Sequence, residues 1–254
     1  MLADNPVHYW RCADPQGSAI LHDVGSSPQA LAAQILGSGG HSFADLAGYS
    51  GPNSDGGSIV TISQTWAVNG GINVAQPFTF ECWAWAIYVV TANAWQLSIG
   101  TNGSFQVGLL CDSGNFPHFV YGGAPACVSP SAFPTKQWVH LVGTSSGTTN
   151  VLYVNGSAVS TVTGTPGSAT GKPLIIGGDN GNGSGMPQAI SEVAVYSTAL
   201  SSARVSAHFN AADNRLGVPV AQSAGGVGGG GSSVSSPLYL GILQQILQAV
   251  RKQY

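Results

Sequence analysis

The sequence predicts an all-β fold in which two antiparallel sheets pack as a sandwich, followed by a linker and a short helix. Short runs of β-branched and aromatic residues recur along residues 1–212, with glycine, proline and asparagine between them. Regularly spaced short strands with turn signals favour a sandwich over a fold of alternating strands and helices. The chain has 254 residues, which is enough to bury a large single core.

The middle of the chain supplies the clearest strands. Residues 78–85 are rich in aromatic side chains, and residues 138–144 form a second apolar run. Within residues 151–159, the pair Asn155-Gly156 tolerates the positive φ angles of a type I′ turn. This part of the chain is therefore predicted to be a tight β-hairpin.

The segments after the hairpin continue the pattern. Residues 174–176 and 189–196 are predicted strands on either side of a glycine-rich loop, residues 177–185. Residues 201–209 predict a helix, because serine can cap its start and apolar residues recur at i, i+4 spacing.

The C-terminal part of the chain changes in composition, which divides the chain into a sandwich over 1–212, a linker over 213–236 and a helix over 237–254. Glycine and serine dominate the second half of the linker, which cannot bury enough surface to fold by itself. The terminal helix carries one apolar face, formed by Tyr239, Ile242, Leu243, Ile246, Leu247 and Val250. Such a short helix is marginal alone, so this face needs a partner, either the sandwich itself or another subunit.

Charged residues make up only 7% of the chain, and the formal net charge is −3. Lysine and arginine together number 7, so no basic stripe can release counterions from a phosphate backbone, and nucleic acid is not an expected partner. Residues 1–6 lack the features of a secretory signal, and no segment reaches the ~20 apolar residues that cross a bilayer.

Candidate catalytic carboxylates are few. A glycoside hydrolase needs two carboxyl groups about 5 to 9.5 Å apart. Glu81 and Glu192 are the two glutamates of the chain, and they fall on separate predicted strands without the acidic motif of such enzymes. We therefore predict structural roles for both glutamates and no enzymatic activity.

The four cysteines, Cys12, Cys82, Cys111 and Cys127, show no metal or redox spacing. Buried thiols are the first interpretation. The alternative is one disulfide, because Cys111 and Cys127 flank a short segment and could meet across a hairpin.

Two groups of residues are candidates for ligand binding. Aromatic side chains in or near predicted loops could stack on a glycan, and these are Trp66, Trp95, Phe116 and Tyr121; packing is the alternative role for each. Oxygen ligands in the glycine-rich loop could hold calcium, and these come from Asp179, Asn180 and Asn182. A plain turn is the alternative for the loop, and no other cofactor is expected.

Several successive segments together resemble laminin-G-like and concanavalin-A-like jelly-roll domains, of the kind found in bacteriophage virion proteins. The matching landmarks are residues 78–83, 138–144, 152–156, 175–178 and 190–201. The resemblance covers about residues 1–212 and implies two antiparallel sheets, a curved face, and roles in glycan binding, adhesion or virion decoration.

From these observations we expect a non-enzymatic virion protein that decorates a phage capsid and displays its laminin-G-like domain on the surface. Its expected partners are capsid or tail proteins, sister subunits of a homo-oligomer, and a host glycan. A phage protein reaches the outside by lysis, which would place it on the virion surface without an export signal. The alternatives are a minor tail or adhesion protein, a free lectin, and a polysaccharide-degrading enzyme.

Overall fold

The computed structural model describes residues 1–15, 18, 20–29, 31–34, 47–53, 55–61, 65–67, 72–86, 93–99, 107–121, 124–165, 169–178 and 188–219. In chain order, the described strands are β1 (His8–Trp10), β2 (Ile20–Leu21), β3 (Leu31–Gln34), β4 (Ala47–Ser50), β5 (Gly57–Thr61), β6 (Thr65–Ala67), β7 (Ile72–Val74), β8 (Phe78–Ala86), β9 (Ala94–Ile99), β10 (Val107–Cys111), β11 (Pro117–Tyr121), β12 (Ala124–Val128), β13 (Trp138–Ser145), β14 (Thr149–Val154), β15 (Ser157–Thr163), β16 (Ala169–Lys172), β17 (Leu174–Ile176) and β18 (Gln188–Tyr196). A 3₁₀ turn at Leu2–Asp4 precedes them, and helix α1 (Ser202–Ala211) follows.

Two large sheets form the sandwich. Sheet 1 has the order β15-β14-β13-β8-β18-β5-β4, and β1 pairs with β18 at its side. Sheet 2 has the order β12-β11-β10-β9-β17-β6-β3-β2. The paired strands in both sheets run antiparallel, which confirms the predicted all-β jelly-roll sandwich.

The main core lies between the two sheets. Strand β8 alternates between faces, so that Phe80 and Cys82 enter this core while Glu81 and Trp83 face the other way. Other large members of the core are Trp10, Phe78, Leu97, Phe119, Leu141, Leu152, Ile176 and Val195.

The outer face of sheet 1 is covered by α1 and by the N-terminal segment. Two further apolar clusters fill this layer, one around Tyr9, Tyr196 and Val205 and one around Trp83 and Trp138. Helix α1 begins where the Ser201 hydroxyl caps it by accepting a hydrogen bond from the backbone N–H of Arg204, at 3.4 Å. The central strands of sheet 1, β8, β13 and β18, are thus buried on both faces, and polar side chains on their outer face are held inside the protein.

Local sequence signals placed several elements well. Strands β14 and β15 form the predicted hairpin, and Asn155 and Gly156 have φ angles of 50° and 77° at its turn. The helix predicted over residues 201–209 is α1 with Ser201 as its N-cap. The predicted helix over 237–254 and most of the linker lie outside the described residues. No helix of the described ranges has the length and apolar character to cross a membrane.

The cysteines are four free, buried thiols, so the interpretation as buried thiols is confirmed and the alternative of a Cys111–Cys127 disulfide is wrong. Strands β10 and β12 lie on opposite sides of β11. Two strand spacings separate the backbones by roughly 9–10 Å, beyond the reach of a disulfide. Cys127 instead donates a hydrogen bond to the backbone oxygen of Asn150 at 3.4 Å.

Candidate functional site

A charge network lies buried on the outer face of sheet 1, with Glu81 of β8 at its centre. The Glu81 carboxylate accepts hydrogen bonds from His140 Nε2 at 2.7 Å, from His208 Nδ1 at 3.1 Å and from the Tyr196 hydroxyl at 2.9 Å. His208 Nε2 lies 2.6 Å from the Asp4 carboxylate on its other side. Because both ring nitrogens of His208 face carboxylates, both donate, and the ring is an imidazolium.

The protonation states in this network follow from burial and pairing. Burial by itself raises the pKa of Glu81, but hydrogen bonds and positive charge from His140 and His208 lower it to about 2. Burial by itself lowers the pKa of His208, and its contacts with Glu81 and Asp4 raise that pKa above the usual 6.5. A hydrogen bond from Arg204 holds the pKa of Asp4 below its usual value.

A second buried carboxylate, Glu192, occupies a bulge of β18. The strand register shifts between Ser191 and Ala194, and Glu192 has a φ angle of 51°. Its carboxylate accepts hydrogen bonds from the Tyr9 hydroxyl and from Asn53 Nδ2, the latter at 2.9 Å. Arg11 lies at 3.5 Å from the same carboxylate.

Neither glutamate is placed to act on a substrate. The side chains of Glu81 and Glu192 have no exposed surface, and protein donors hold the oxygens of both carboxylates. A general acid must carry a proton at the working pH, whereas Glu81, with a pKa of about 2, is ionised. The geometry therefore gives both side chains structural roles.

A cleft of about 430 Å³ opens beside the C-terminal end of α1, and we call it the helix-end cleft. It offers two aromatic side chains, three amides, one carboxylate and one guanidinium. Its lining consists of Gln137, Trp138, Asn155, Phe209, Asp213, Asn214, Arg215 and Leu216. Amides and charged groups beside aromatic rings supply both hydrogen bonds and apolar contact to a small ligand.

Several contacts hold the cleft in shape. The Phe209 ring stacks on Trp83 with ring centroids 5.8 Å apart, and the Arg215 guanidinium lies 4.4 Å from the Phe209 centroid. The Asn155 side-chain oxygen accepts a hydrogen bond from the backbone N–H of His140 at 3.0 Å. Gly156 brings the hairpin turn so close to Phe209 that a Cβ atom there would lie 2.9 Å from the Phe209 Cβ.

A smaller cavity of about 210 Å³ adjoins this cleft, since Asp213 lines both. Tyr9, Asn53 and His208 also line it, so it touches both buried carboxylate networks. The two cavities and the two networks thus share one layer, between sheet 1 and the segments that cover it.

The sequence-predicted aromatic residues do not gather in this cleft. Trp95 lies within β9 rather than in a loop; it is 5% exposed and packs with Leu110 and Val120. Phe116 and Tyr121, before and at the end of β11, are half-buried. Trp66 belongs to β6, opposite Ile176. Glycan binding by these four residues stays a prediction.

The predicted calcium ligands, Asp179, Asn180 and Asn182, lie outside the described residues, as do the docking residues of the terminal helix. Within the described ranges, no group of three or more histidine, cysteine, aspartate or glutamate side chains is arranged to hold a metal ion.

Sequence reasoning did not find the Glu81 network or the helix-end cleft. Glu81 and His140 lie 59 residues apart, and Glu81 and His208 lie 127 apart, so no local spacing marks them. The available signal was a glutamate among the apolar residues of 78–85. A buried carboxylate in such a strand requires partners from elsewhere in the fold.

Comparisons with known proteins agree with the architecture. The sequence model of the Laminin_G_3 family, described as the concanavalin A-like lectin/glucanases superfamily, matches residues 55–206. No curated protein sequence matches the chain.

Solved structures with the same fold include a domain of an arabinanase, part of a sialidase and the binding domain of a mosquitocidal protein. Domain 4 of AbnA, a GH43 extracellular arabinanase from Geobacillus stearothermophilus, in complex with arabinotriose, has a TM-score of 0.61 and 16% identity, over 80% of this chain and 96% of that one. Trypanosoma rangeli sialidase in complex with sialic acid has a TM-score of 0.58 and 15% identity, over 81% of this chain and 32% of that one. The binding domain of Paraclostridial Mosquitocidal Protein 1 has a TM-score of 0.57 and 14% identity, over 83% of this chain and 53% of that one. This chain thus spans about a third of the sialidase, and likeness at such identity shows the fold alone.

Proposed function

The chain belongs to the concanavalin A-like lectin/glucanase superfamily, and from this premise we propose that it is a carbohydrate-binding module that does not cleave its ligand. The observation that carries the proposal is the helix-end cleft. Its volume of about 430 Å³ suits a small ligand, and its amides and carboxylate can exchange hydrogen bonds with sugar hydroxyls.

The absence of cleavage is the second half of the proposal. It is supported by the two glutamates, whose side chains are sealed inside the protein by their own hydrogen-bond partners. The alternative is a polysaccharide-degrading enzyme. Release of reducing sugar from a bound polysaccharide by the full chain would favour that alternative.

The solved relatives give the proposal a chemical context. Domain 4 of the arabinanase has this fold and was determined with arabinotriose bound. A sugar-binding role for the present chain is consistent with that likeness, and the ligand has to be found by experiment.

A glycan array probed with the full chain tests the proposal. We expect retention of at least one class of saccharide. Replacing Asn214 by Ala removes one amide from the cleft and should weaken binding about three- to tenfold, the value of one hydrogen bond. Asn210→Ala is the matched control, because Asn210 is an exposed amide of α1 outside the cleft lining, and its Nδ2 group donates a hydrogen bond to the Ser206 hydroxyl at 3.4 Å.

The array has two outcomes that contradict the proposal. One is that no saccharide is retained by the folded chain. The other is that Asn210→Ala weakens binding as much as Asn214→Ala, since the cleft would then not be where the ligand is held.

Display on a virion is a separate proposal, supported by the sequence of the linker and of the terminal helix over 237–254. In this proposal the apolar face of that helix docks on a capsid or tail protein, or on a sister subunit, and the sandwich faces outward. Deleting residues 237–254 should lower the occupancy of the protein on assembled particles. Undiminished occupancy would contradict the docking role.

A further inference from the structure

We propose that the helix-end cleft recognises an acidic saccharide, with Arg215 binding the carboxylate of a uronic or sialic acid unit. This inference rests on the proposed function and names the class of sugar that the cleft takes. Its starting point is the guanidinium in the cleft lining, beside groups suited to hydroxyls.

Arg215 differs from the other described arginines in its pairing. The chain has 7 lysines and arginines in total, so each positive charge is a notable feature of its surface. Arg11 pairs with Asp55 and Glu192, and Arg204 pairs with Asp4. Over the described residues, Arg215 makes no ion pair with a carboxylate, and the ring of Phe209 is the contact of its guanidinium.

The Arg215 guanidinium is held in place before a ligand arrives. It lies over the Phe209 ring, 4.4 Å from the centroid, and Phe209 is itself stacked on the buried Trp83. The backbone oxygen of Arg215 accepts a hydrogen bond from the backbone N–H of Trp138 at 3.4 Å. A planar guanidinium fixed on an aromatic ring can bind a carboxylate through two parallel hydrogen bonds with little further loss of side-chain entropy.

One residue of the cleft lining, Trp138, also carries a buried donor without a partner in the described structure. Trp138 is 3% exposed, and the donor is its indole Nε1–H. Buried donors are normally paired, because an unpaired one loses its bonds to water.

The remaining polar groups fit the rest of a sugar. Asn155 is oriented by the bond that its side-chain oxygen accepts from the backbone of His140, which directs its Nδ2 group to other acceptors. The Asp213 carboxylate and the amides of Gln137 and Asn214 line the same cleft and can accept from hydroxyl groups. One guanidinium for a carboxylate, with several amides for hydroxyls, is the donor and acceptor set of an acidic monosaccharide unit.

Calorimetric titration of the full chain tests the inference with ligand pairs that differ in charge alone. The probes are an oligogalacturonide and sialyllactose, each compared with the neutral methyl ester of its own carboxyl groups. We expect at least tenfold tighter binding of one acidic probe than of its neutral counterpart. The two acidic probes distinguish uronic from sialic acid as the source of the carboxylate.

The variant Arg215→Gln should weaken binding of the acidic probe by about ten- to one-hundredfold, the value of a hydrogen bond to a charged group, and should weaken binding of the neutral probe by a smaller factor. Lys172→Gln is the control, because it removes the same charge from β16, away from the cleft lining. It should bind the acidic probe as the unmodified chain does. Circular dichroism establishes that both variants are folded.

Equal affinity for acidic and neutral probes would overturn the inference, and so would acidic binding that Arg215→Gln leaves unchanged. Either result, with binding of some neutral saccharide retained, leaves the proposed function standing. Failure to bind any saccharide on the array overturns both. The comparison of charged and neutral probes uses the unmodified chain, so it decides the question even where a variant fails to fold.

Discussion

At the scale of single residues, the His208 side chain connects two parts of the chain that are far apart in sequence. It lies between Glu81 of β8 and Asp4 of the N-terminal turn, and Asp4 also binds Arg204. Ions inside a protein stabilise it only when their partners compensate the lost hydration. In this network each carboxylate has at least two donors, so the fold can hold these charges without water.

Because of this network, the stability of the protein should fall at both low and high pH. Glu81 has its pKa lowered from 4.5 to about 2, so its stabilisation is present above pH 4.5 and is lost as pH falls toward 2. His208 has its pKa raised above 6.5, so its stabilisation is present below pH 6.5 and is lost as pH rises through the folded-state pKa. Thermal melts should therefore show the highest midpoint between about pH 4.5 and 6.5. A midpoint that stays constant from pH 6 to 9 would contradict the assignment of His208 as an imidazolium.

Replacing His208 by Gln removes the charge between two carboxylates and should destabilise the protein by about 3–5 kcal/mol, the usual loss when one partner of a buried ion pair is removed. Urea unfolding measures it. His22→Gln is the matched control, because the His22 side chain that pairs with Asp14 is itself 76% exposed, so its loss should be far smaller. Equal losses of unfolding free energy in the two variants would contradict a stabilising role of the buried network.

The residue scale is also where sequence reasoning reached least. The alternation of side chains along β8 predicts that Glu81 lies on the face away from the main core. It does not predict which residues cover that face. His140 and His208 come from β13 and α1, and only the assembled sheet brings them together. The same holds for Phe209 and Arg215, whose contact depends on how the chain turns after α1.

At the scale of elements, one glycine of sheet 1 packs directly against an aromatic ring of sheet 2. Gly143 of β13 faces Phe119 of β11, and a Cβ atom on Gly143 would lie 2.3 Å from Phe119 Cδ2. Gly143→Ala should therefore destabilise the protein by about 1–3 kcal/mol, the usual effect of overpacking a core. Chemical unfolding measures the loss.

The variant Phe119→Leu tests whether contact with the Phe119 ring causes this loss of stability. In the double variant Gly143→Ala/Phe119→Leu, the smaller side chain makes room for the new methyl group. The two losses should then sum to more than the loss of the double variant. Simple additivity would contradict a direct contact between the two positions.

Helix α1 depends on its cap. Ser201→Ala removes the hydroxyl that accepts from the Arg204 backbone N–H and should cost about 1 kcal/mol of unfolding free energy. Ser202→Ala is the control at the next position, where the exposed hydroxyl is not the cap. Equal effects at both positions in urea titrations would contradict the capping role.

Elements with strong local signals were predictable, and short paired strands were not. The β14–β15 hairpin and α1 follow from Asn155-Gly156 and from a serine before an amphipathic run. Strands β2 and β6 have two and three residues, and pairing with β3 defines them. Trp95 was assigned near a loop because strand β9 gains its character from pairing with β10 and β17.

At the scale of the whole molecule, the buried cysteines report on the integrity of the sandwich. Burial raises the pKa of Cys12, Cys82, Cys111 and Cys127, so their reactive thiolate forms are scarce. We expect a thiol reagent to react slowly with the native chain and with four thiols per chain after unfolding without reductant. Two thiols per unfolded chain would instead indicate a disulfide.

The fold class followed from the sequence because a sandwich repeats one signal, short apolar strands between turns, and the repetition outweighs any single misplaced strand. The function did not follow in the same way. The fold is shared by the arabinanase domain and by about a third of the sialidase, so the fold by itself does not say what this chain binds.

The most direct test of carbohydrate binding without cleavage is ligand-observed NMR of the full chain with a saccharide retained on the array. We expect saturation transfer from the protein to the sugar protons, with the anomeric signals unchanged after prolonged incubation. No transfer would contradict binding, and growth of new reducing-end signals would contradict the structural roles of Glu81 and Glu192.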